Sequence, residues 1–361
     1  MNQAKVLNFF GLLLIMFGMS FAIPLFVAIF YGESLIRVFG LGMSILVLMG
    51  FLSWFFTKDN KQELSLSDGF VITVLFWIVL SVSGSIPFIL FGFGVVDSFF
   101  ESMSGITTTG ATVIAGLDDL PKSLLIYRQL LQWLGGMGLI VLAIAVMPLL
   151  GIGGGQLFKT QTPGPMSEQR LTPRITSTAR ALWSIYFVLT VLCIFAYRLA
   201  GMNYFDAVSH AFSTVSIGGF STHDLSIGFF DSLSIEIVCI AFMLLSAMSF
   251  AIHYSAIYRK QVLKYFYDPE LRFFVSLLIV ILGLVCLSLF ANDIDNPIRS
   301  GLFQTVSILT TTGFLTDEYS SWPAYISFML LVGAFIGACS GSVGGGIKSW
   351  RILIMLKHAY K

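Results

Sequence analysis

Runs of about 20 apolar residues, long enough as helices to cross the ~30 Å hydrocarbon core of a bilayer, recur along this chain and restrict its fold more than any other feature. The clearest cover residues 7–30, 38–56, 70–92, 125–150, 181–200, 233–257, 273–291 and 323 to about 346. Eight crossings are expected. Composition agrees, since 57% of the 361 residues are hydrophobic and 11% charged, against ~25% charged in an average soluble chain. That balance, with a formal net charge of +1, argues against soluble domains, disorder and nucleic-acid binding. The lipid bilayer is the expected surrounding. The first run follows Lys5 and contains Ser20-Phe21-Ala22, in imitation of a secretory signal and its cleavage site. Its continuation past Pro24 to Phe30 predicts a retained helix.

Covalent chemistry has nothing to gather around. Cys193, Cys239, Cys286 and Cys339 lie singly in apolar stretches, without metal-ligand spacing or a disulfide pattern. His210, His223, His253 and His358 are equally dispersed, and no span carries paired acids or a nucleophile beside a base. The chain is not expected to be an enzyme, and no covalent cofactor is expected.

Between three pairs of spans lie segments too short to cross, at residues 96–113, 205–222 and 299–316, and they align with one another. Asp97, Asp206 and Ser300 each stand 13 residues before a glycine, Gly110, Gly219 or Gly313. Ser104, Ser213 and Ser307 stand six before it, and Thr107, Ser216 and Thr310 three before it. The repeat unit is therefore span, re-entrant segment, span. The expected organisation is an N-terminal helix pair (1–56) and pore repeats at 57–150, 151–257 and 258–361. A fourth unit by the same period would place its glycine beyond the last residue, so a truncated, non-conducting fragment or an assembly subunit is the alternative to a complete pore.

Basic residues orient the chain. Counting loops on alternate sides puts 15 of the 20 Lys and Arg on one face, the expected cytoplasmic one, with both termini. Six of the 19 acids share that face, leaving +9 inside and −8 outside. The re-entrant segments all dip in from the acidic side. A negative mouth concentrates cations, and acids contribute little to topology, so the bias in basic residues does not account for it.

Non-helical backbone at membrane depth is tolerated where it is buried in protein or lines a water-filled cavity. Each segment opens with an N-cap former (Asp97, Asp206 or Ser300), continues for about ten residues and reaches Thr107-Thr108-Thr109-Gly110, Ser216-Ile217-Gly218-Gly219 or Thr310-Thr311-Thr312-Gly313. A half-helix of that length would end near the bilayer centre with its partially negative terminus towards a cation. The glycine would then let successive carbonyl oxygens turn to one axis and replace an ion's hydration shell, with a hydroxyl oxygen from the residue three before it. Close helix packing by small residues is the alternative for a single cluster. Three clusters at one offset favour a filter.

These segments, with Gln132-Trp133-Leu134-Gly135-Gly136-Met137-Gly138, Leu171-Thr172-Pro173-Arg174 and Gly341-Ser342-Val343-Gly344-Gly345-Gly346-Ile347-Lys348, resemble the Trk/Ktr family of potassium-uptake membrane subunits, of the TrkH-like type. The resemblance runs the length of the chain. It implies an all-α polytopic membrane protein of repeated helix, pore-loop, helix units after two N-terminal helices, with three of the family's four repeats visible. It further implies potassium uptake across the bacterial inner membrane, potassium bound at the filter residues, a homodimer and a cytoplasmic nucleotide-binding regulatory subunit. Gly110, where a sodium-restricted relative would carry serine, matches the family's potassium-permeant pattern.

Other residues stand out. Glycines 337, 341, 344, 345 and 346 each cost a helix ~1 kcal/mol relative to alanine, so a break is expected in the last span. The resemblance makes Gly341, Gly344, Gly345, Gly346 and Lys348 a candidate gate, against an ordinary glycine-rich helix end with Lys348 reaching the interface. Glu101, His210 and Gln304 share one offset and either face the vestibule or fasten the pore helices. Arg128 and Glu236 read as interface anchors, and the stretch 151–180 as a basic docking linker.

Overall fold

The structure, a computed structural model, describes residues 3–58, 66–138, 175–319 and 322–359. Among these every regular element is helical. They fall into two compact units, one of residues 3–58, 66–138 and 175–180 and the other of residues 181–319 and 322–359.

The first unit opens with α1 (Gln3–Ser20) and α2 (Ala22–Tyr31), which together make one 29-residue span with a break at Phe21. Pro24 explains the break, because it has no N–H to give the Ser20 carbonyl one turn back. α3 (Ile36–Thr57) runs against α1. A Cβ built on Gly50 would lie 2.6 Å from the Gly11 carbonyl, and one on Gly11 2.8 Å from the Gly50 carbonyl. Apolar burial gives no drive for two helices to pair in lipid, so backbone-close packing at small residues does the joining. α4 (Leu66–Phe91), the short α5 (Val95–Ile106) and α6 (Lys122–Gly136) then form the first repeat. Its two long helices hold the short one: the Tyr127 hydroxyl donates to the Gly84 carbonyl at 2.7 Å, and Gly135 sits where any side chain would strike the Ile106 carbonyl at the end of α5.

The second unit holds most of α7 (Ile175–Leu199), then α8 (Tyr204–Val215), α9 (Leu233–Ala247), α10 (Phe250–Tyr258), α11 (Lys264–Tyr267), α12 (Pro269–Ala291), α13 (Pro297–Leu309), α14 (Ala324–Ile336) and α15 (Ser349–Ala359). The expected single span over 233–257 is instead two helices bent by 93°. The bend is at Met248 and Ser249, both extended. Apolar runs do not report such a break, because its cost is removed by partners elsewhere: the Ala247 carbonyl accepts the Cys339 N–H at 3.1 Å and the Phe250 N–H reaches the Gly341 carbonyl at 3.0 Å. The break expected in the last span is present, with α14 ending at Ile336 on Gly337 at φ +71°.

Among the described residues five helices are long and apolar enough to cross a membrane, or six with the bent pair as one. Of the expected span 125–150, residues 139–150 lie outside the described residues, as do 151–174 of the candidate docking linker, including Leu171 to Arg174; α7 already begins at Ile175.

Gly50→Val should force α1 from α3 and destabilise the first unit by ~1–3 kcal/mol. Thermal unfolding in detergent should record it as a melting temperature several degrees lower, while Gly40→Val, with nothing within 4 Å of its Cβ, leaves it unchanged.

Candidate functional site

The three short helices α5, α8 and α13 have 12, 12 and 13 residues, hence about 18–20 Å of rise, too little to span the hydrocarbon. The expected N-caps are displaced. Asp97 and Asp206 occupy the third helical position and Ser300 the fourth; the flanking residues are Gly94, Asn203 and Asn296. Asn203 caps α8 by accepting the Asp206 N–H at 2.9 Å. An acid inside the first turn serves the helix dipole as well as one at the cap, and the sequence does not separate the two.

All three helices end the same way. In the first repeat the Thr108 N–H bonds the Gly105 carbonyl at 3.0 Å and the Thr109 N–H the Ser104 carbonyl at 2.9 Å. In the second, Ile217 bonds Thr214 at 3.1 Å and Gly218 bonds Ser213 at 2.8 Å; in the third, Thr311 bonds Ile308 at 3.0 Å and Thr312 bonds Ser307 at 2.8 Å. This is the Schellman pattern, which needs a left-handed residue after the cap. Thr108, Ile217 and Thr311 supply it at φ +54°, +54° and +65°, and Gly110, Gly219 and Gly313 follow two residues on at +76°, +81° and +86°. Left-handed β-branched residues are genuine outliers, and three in register mark strain held for a purpose. The turn spends these N–H groups on the helix end.

The hydroxyls are directed too. Thr107 Oγ1 donates to the Met103 carbonyl at 2.7 Å and pairs with Thr109 Oγ1 at 2.8 Å; Thr310 Oγ1 donates to Val306 at 2.8 Å and pairs with Thr312 Oγ1 at 2.7 Å. With Thr109 and Thr312 as donors in these pairs, every hydroxyl proton is spent and each pair presents lone pairs alone, a face suited to a cation. The second repeat has Gly218 in place of the second hydroxyl, and Ser216 Oγ donates to Ser213 at 3.2 Å.

Within the second unit, segments from two repeats and the glycine-rich stretch come together. Gly219 lies where a Cβ would strike the Thr312 carbonyl. A Cβ on Gly344 would be 3.1 Å from the Thr310 carbonyl and 3.6 Å from Ile217 Cδ1. The Gly345 N–H donates to Thr311 Oγ1 at 2.7 Å, and Lys348 Nζ donates back to the Gly344 carbonyl. Gly341, Gly346 and Lys348 have φ of +72°, +82° and +82°. Thr107 to Gly110 belong to the first unit.

The residues nine before each glycine fasten the chain beyond the turn. Glu101 accepts Thr112 Oγ1 at 3.0 Å and the Val113 N–H at 3.3 Å. His210 pairs through Nε2 with Ser221 Oγ at 2.9 Å and through Nδ1 with the Asp206 carbonyl at 3.0 Å. A carbonyl only accepts, so Nδ1 carries the proton and Nε2 receives the serine hydroxyl. Gln304 Nε2 donates to the Asp317 carbonyl at 3.2 Å. Of the alternatives left open by the sequence, fastening is the one observed. Asp206 and Ser300 add a second tie, to Thr222 Oγ1 and Asp317 Oδ2, each at 2.7 Å.

Arg128 and Glu236 are both buried and ion-paired. Fully buried Arg128 meets fully buried Glu101 at 2.7 Å, and Glu236 receives Arg299 through Nη2 at 2.7 Å and Nε at 3.0 Å, with Asp231 at 2.8 Å. The sequence contained the signal: an acid and a base in apolar surroundings are expected to find each other.

Residues 36–360 match the TrkH family, described as cation transport proteins. The chain is 47% identical to the Trk system potassium uptake protein TrkH of Halomonas elongata, over all of this chain and 76% of that protein. It is 43% identical to the TrkH of Escherichia coli K12, over 99% and 76%. The crystal structure of the potassium transporter TrkH from Vibrio parahaemolyticus superposes with a TM-score of 0.88 at 44% identity, covering 100% of this chain and 76% of that one.

Removing one member of the buried pair leaves an uncompensated charge, so Arg128→Gln and Glu101→Gln should each cost about 3–5 kcal/mol, and the double variant less than either. Urea or thermal unfolding of the four proteins checks this, and additive losses would contradict it.

Proposed function

This chain belongs to the TrkH family of cation transport proteins, and on that premise we propose that it is a potassium-uptake subunit whose filter is built from Thr107 to Gly110, Ser216 to Gly219 and Thr310 to Gly313. The observation that carries the proposal is the left-handed turn repeated in register at Thr108, Ile217 and Thr311, with Gly110, Gly219 and Gly313 behind it. Alternating backbone handedness turns successive carbonyls the same way, and carbonyl oxygens so aligned replace the water around a potassium ion. The negative ends of three half-helices add to the attraction. No covalent step is needed, and the chain acts as a transporter, not an enzyme.

The glycine-rich stretch is the gate in this reading. Of Gly341, Gly344, Gly345, Gly346 and Lys348, Gly344 lies against the Thr310 carbonyl and the Gly345 N–H is hydrogen-bonded to Thr311 Oγ1. Glycine is required where the stretch meets backbone, as at Gly346, whose Cβ would lie 2.6 Å from Gly337 Cα at φ +82°. An ion leaving the turn of the third repeat would meet this segment. Supporting a gate over a plain helix end are Lys348, half-buried at left-handed φ with its amine on the Gly344 carbonyl, and a helix that resumes only at Ser349.

The remaining assignments follow from family and charge. The pore repeats occupy 57–150, 151–257 and 258–361, after the helix pair 1–56. The protein lies in the bacterial inner membrane with both termini in the cytoplasm, works as a homodimer, and offers its basic face to a nucleotide-binding regulatory subunit.

In a bacterium deficient in potassium uptake, the protein should restore growth at low potassium. Gly313→Ser or Gly110→Ser should lower rubidium uptake relative to sodium by about tenfold, one misplaced ligand layer being worth ~1.4 kcal/mol. An unchanged ion ratio in both variants would remove these residues from the filter.

A further inference from the structure

Glu270 has no part in the filter, yet it is bound to the segment that would have to move. It is the second residue of α12, behind the cap Asp268, whose carboxylate accepts the Leu271 N–H at 2.9 Å. Its side chain is buried. One oxygen, Oε1, accepts two backbone N–H groups, from Ser340 at 2.5 Å and Trp350 at 3.1 Å.

Those donors bracket the glycine-rich stretch. Ser340 precedes Gly341, and Trp350 is the second residue of α15, whose first-turn N–H groups lack helical partners. Between them Gly341, Gly346 and Lys348 hold left-handed backbone, and Lys348 is neither glycine nor asparagine. A β-carbon at positive φ persists where its surroundings impose it. The surroundings that impose it are the Phe250 and Cys339 bonds to the broken helix, the Ile347, Lys348 and Ser349 N–H bonds to the carbonyls of Phe335, Ile336 and Ala338, the Gly345 bond to Thr311, and Glu270.

Moving the stretch takes both donors from a buried carboxylate, which is the expensive way to leave a polar group. We propose that Glu270 is the latch of this segment, a positioning residue that holds residues 340–350 against the filter turns through one shared acceptor oxygen. The latch rests on the gate reading above. Because both bonds converge on Oε1, holding requires an acceptor at that distance and not a charge. Glutamine keeps such an oxygen, methionine has the length without it, and aspartate keeps the carboxylate one methylene short.

The test is single-channel recording of the full-length protein in planar bilayers, with the open fraction and the rubidium to sodium permeability ratio read together. Glu270→Met and Glu270→Asp should each raise the open fraction about tenfold or more, as expected for two lost hydrogen bonds. Glu270→Gln should stay within about twofold of the unsubstituted protein, and the ion ratio should move by no more than about fivefold in any of the three. Gly345→Pro, which removes the N–H given to Thr311, is the control for the gate itself. If it raises the open fraction while the Met and Asp variants do not, the latch is wrong and the gate stands. If none of them changes it, the gate reading fails first. A Gln variant as open as the Met variant would overturn the shared-acceptor geometry. Should Glu270→Met not fold, the Asp and Gln pair still decides between the outcomes.

Discussion

The turn that ends each short helix sets the terms for everything around it. A backbone that leaves helical geometry inside hydrocarbon must find partners for its polar groups, and no water is there to supply them. The Schellman turn answers half of that demand locally, by giving the N–H groups at Thr108 and Thr109, and their counterparts in the other two repeats, back to the helix. On the proposed reading, the carbonyl oxygens of the same segments serve a desolvated cation. Strain at Thr108, Ile217 and Thr311 is the cost of separating donors from acceptors in this way.

A strained turn holds only if both its flanks are fixed, and the structure fixes them at different places. On the helix side, Gly135 lets α6 close on the end of α5, and Gly333 puts α14 against Leu309 at the end of α13. On the far side, Glu101, His210 and Gln304 grip the chain as it leaves. Their chemistry differs because their neighbours do: Glu101 has Arg128 to neutralise it, whereas His210 and Gln304 meet a hydroxyl and a carbonyl and do the same task uncharged.

Much of this was legible in the sequence. Four apolar runs, at 7–30, 38–56, 70–92 and 273–291, matched helices to within four residues, and a glycine, a serine and a hydroxyl residue at fixed offsets marked the three turns, because a repeated geometry demands repeated residue types. The break after Gly337 was legible from glycine density. What escaped was set by partners distant in the chain. The bend at Met248 and Ser249 has no proline or glycine to announce it, and exists because Cys339 and Gly341 complete its hydrogen bonds. The left-handed residues at Thr108, Ile217 and Thr311 were hidden for the opposite reason. Their types, two of them threonine and one isoleucine, are those that propensity would place last in such backbone.

On the proposed reading, the hydroxyl of Thr311 joins two functions that would otherwise be separate. It belongs to a left-handed residue of the third turn and accepts the N–H of Gly345 from the glycine-rich stretch. While that bond stands, one of its lone pairs is engaged. When the stretch withdraws, the bond is lost and the turn loses a strut. On the proposed reading, a movement that opens the path also changes the support of the turn that selects the ion. Selectivity and opening are then coupled through a single residue, with a free energy no larger than one hydrogen bond, ~1 kcal/mol. Coupling of that size shifts ion ratios by about fivefold at most, which lets the filter stay selective while the gate moves.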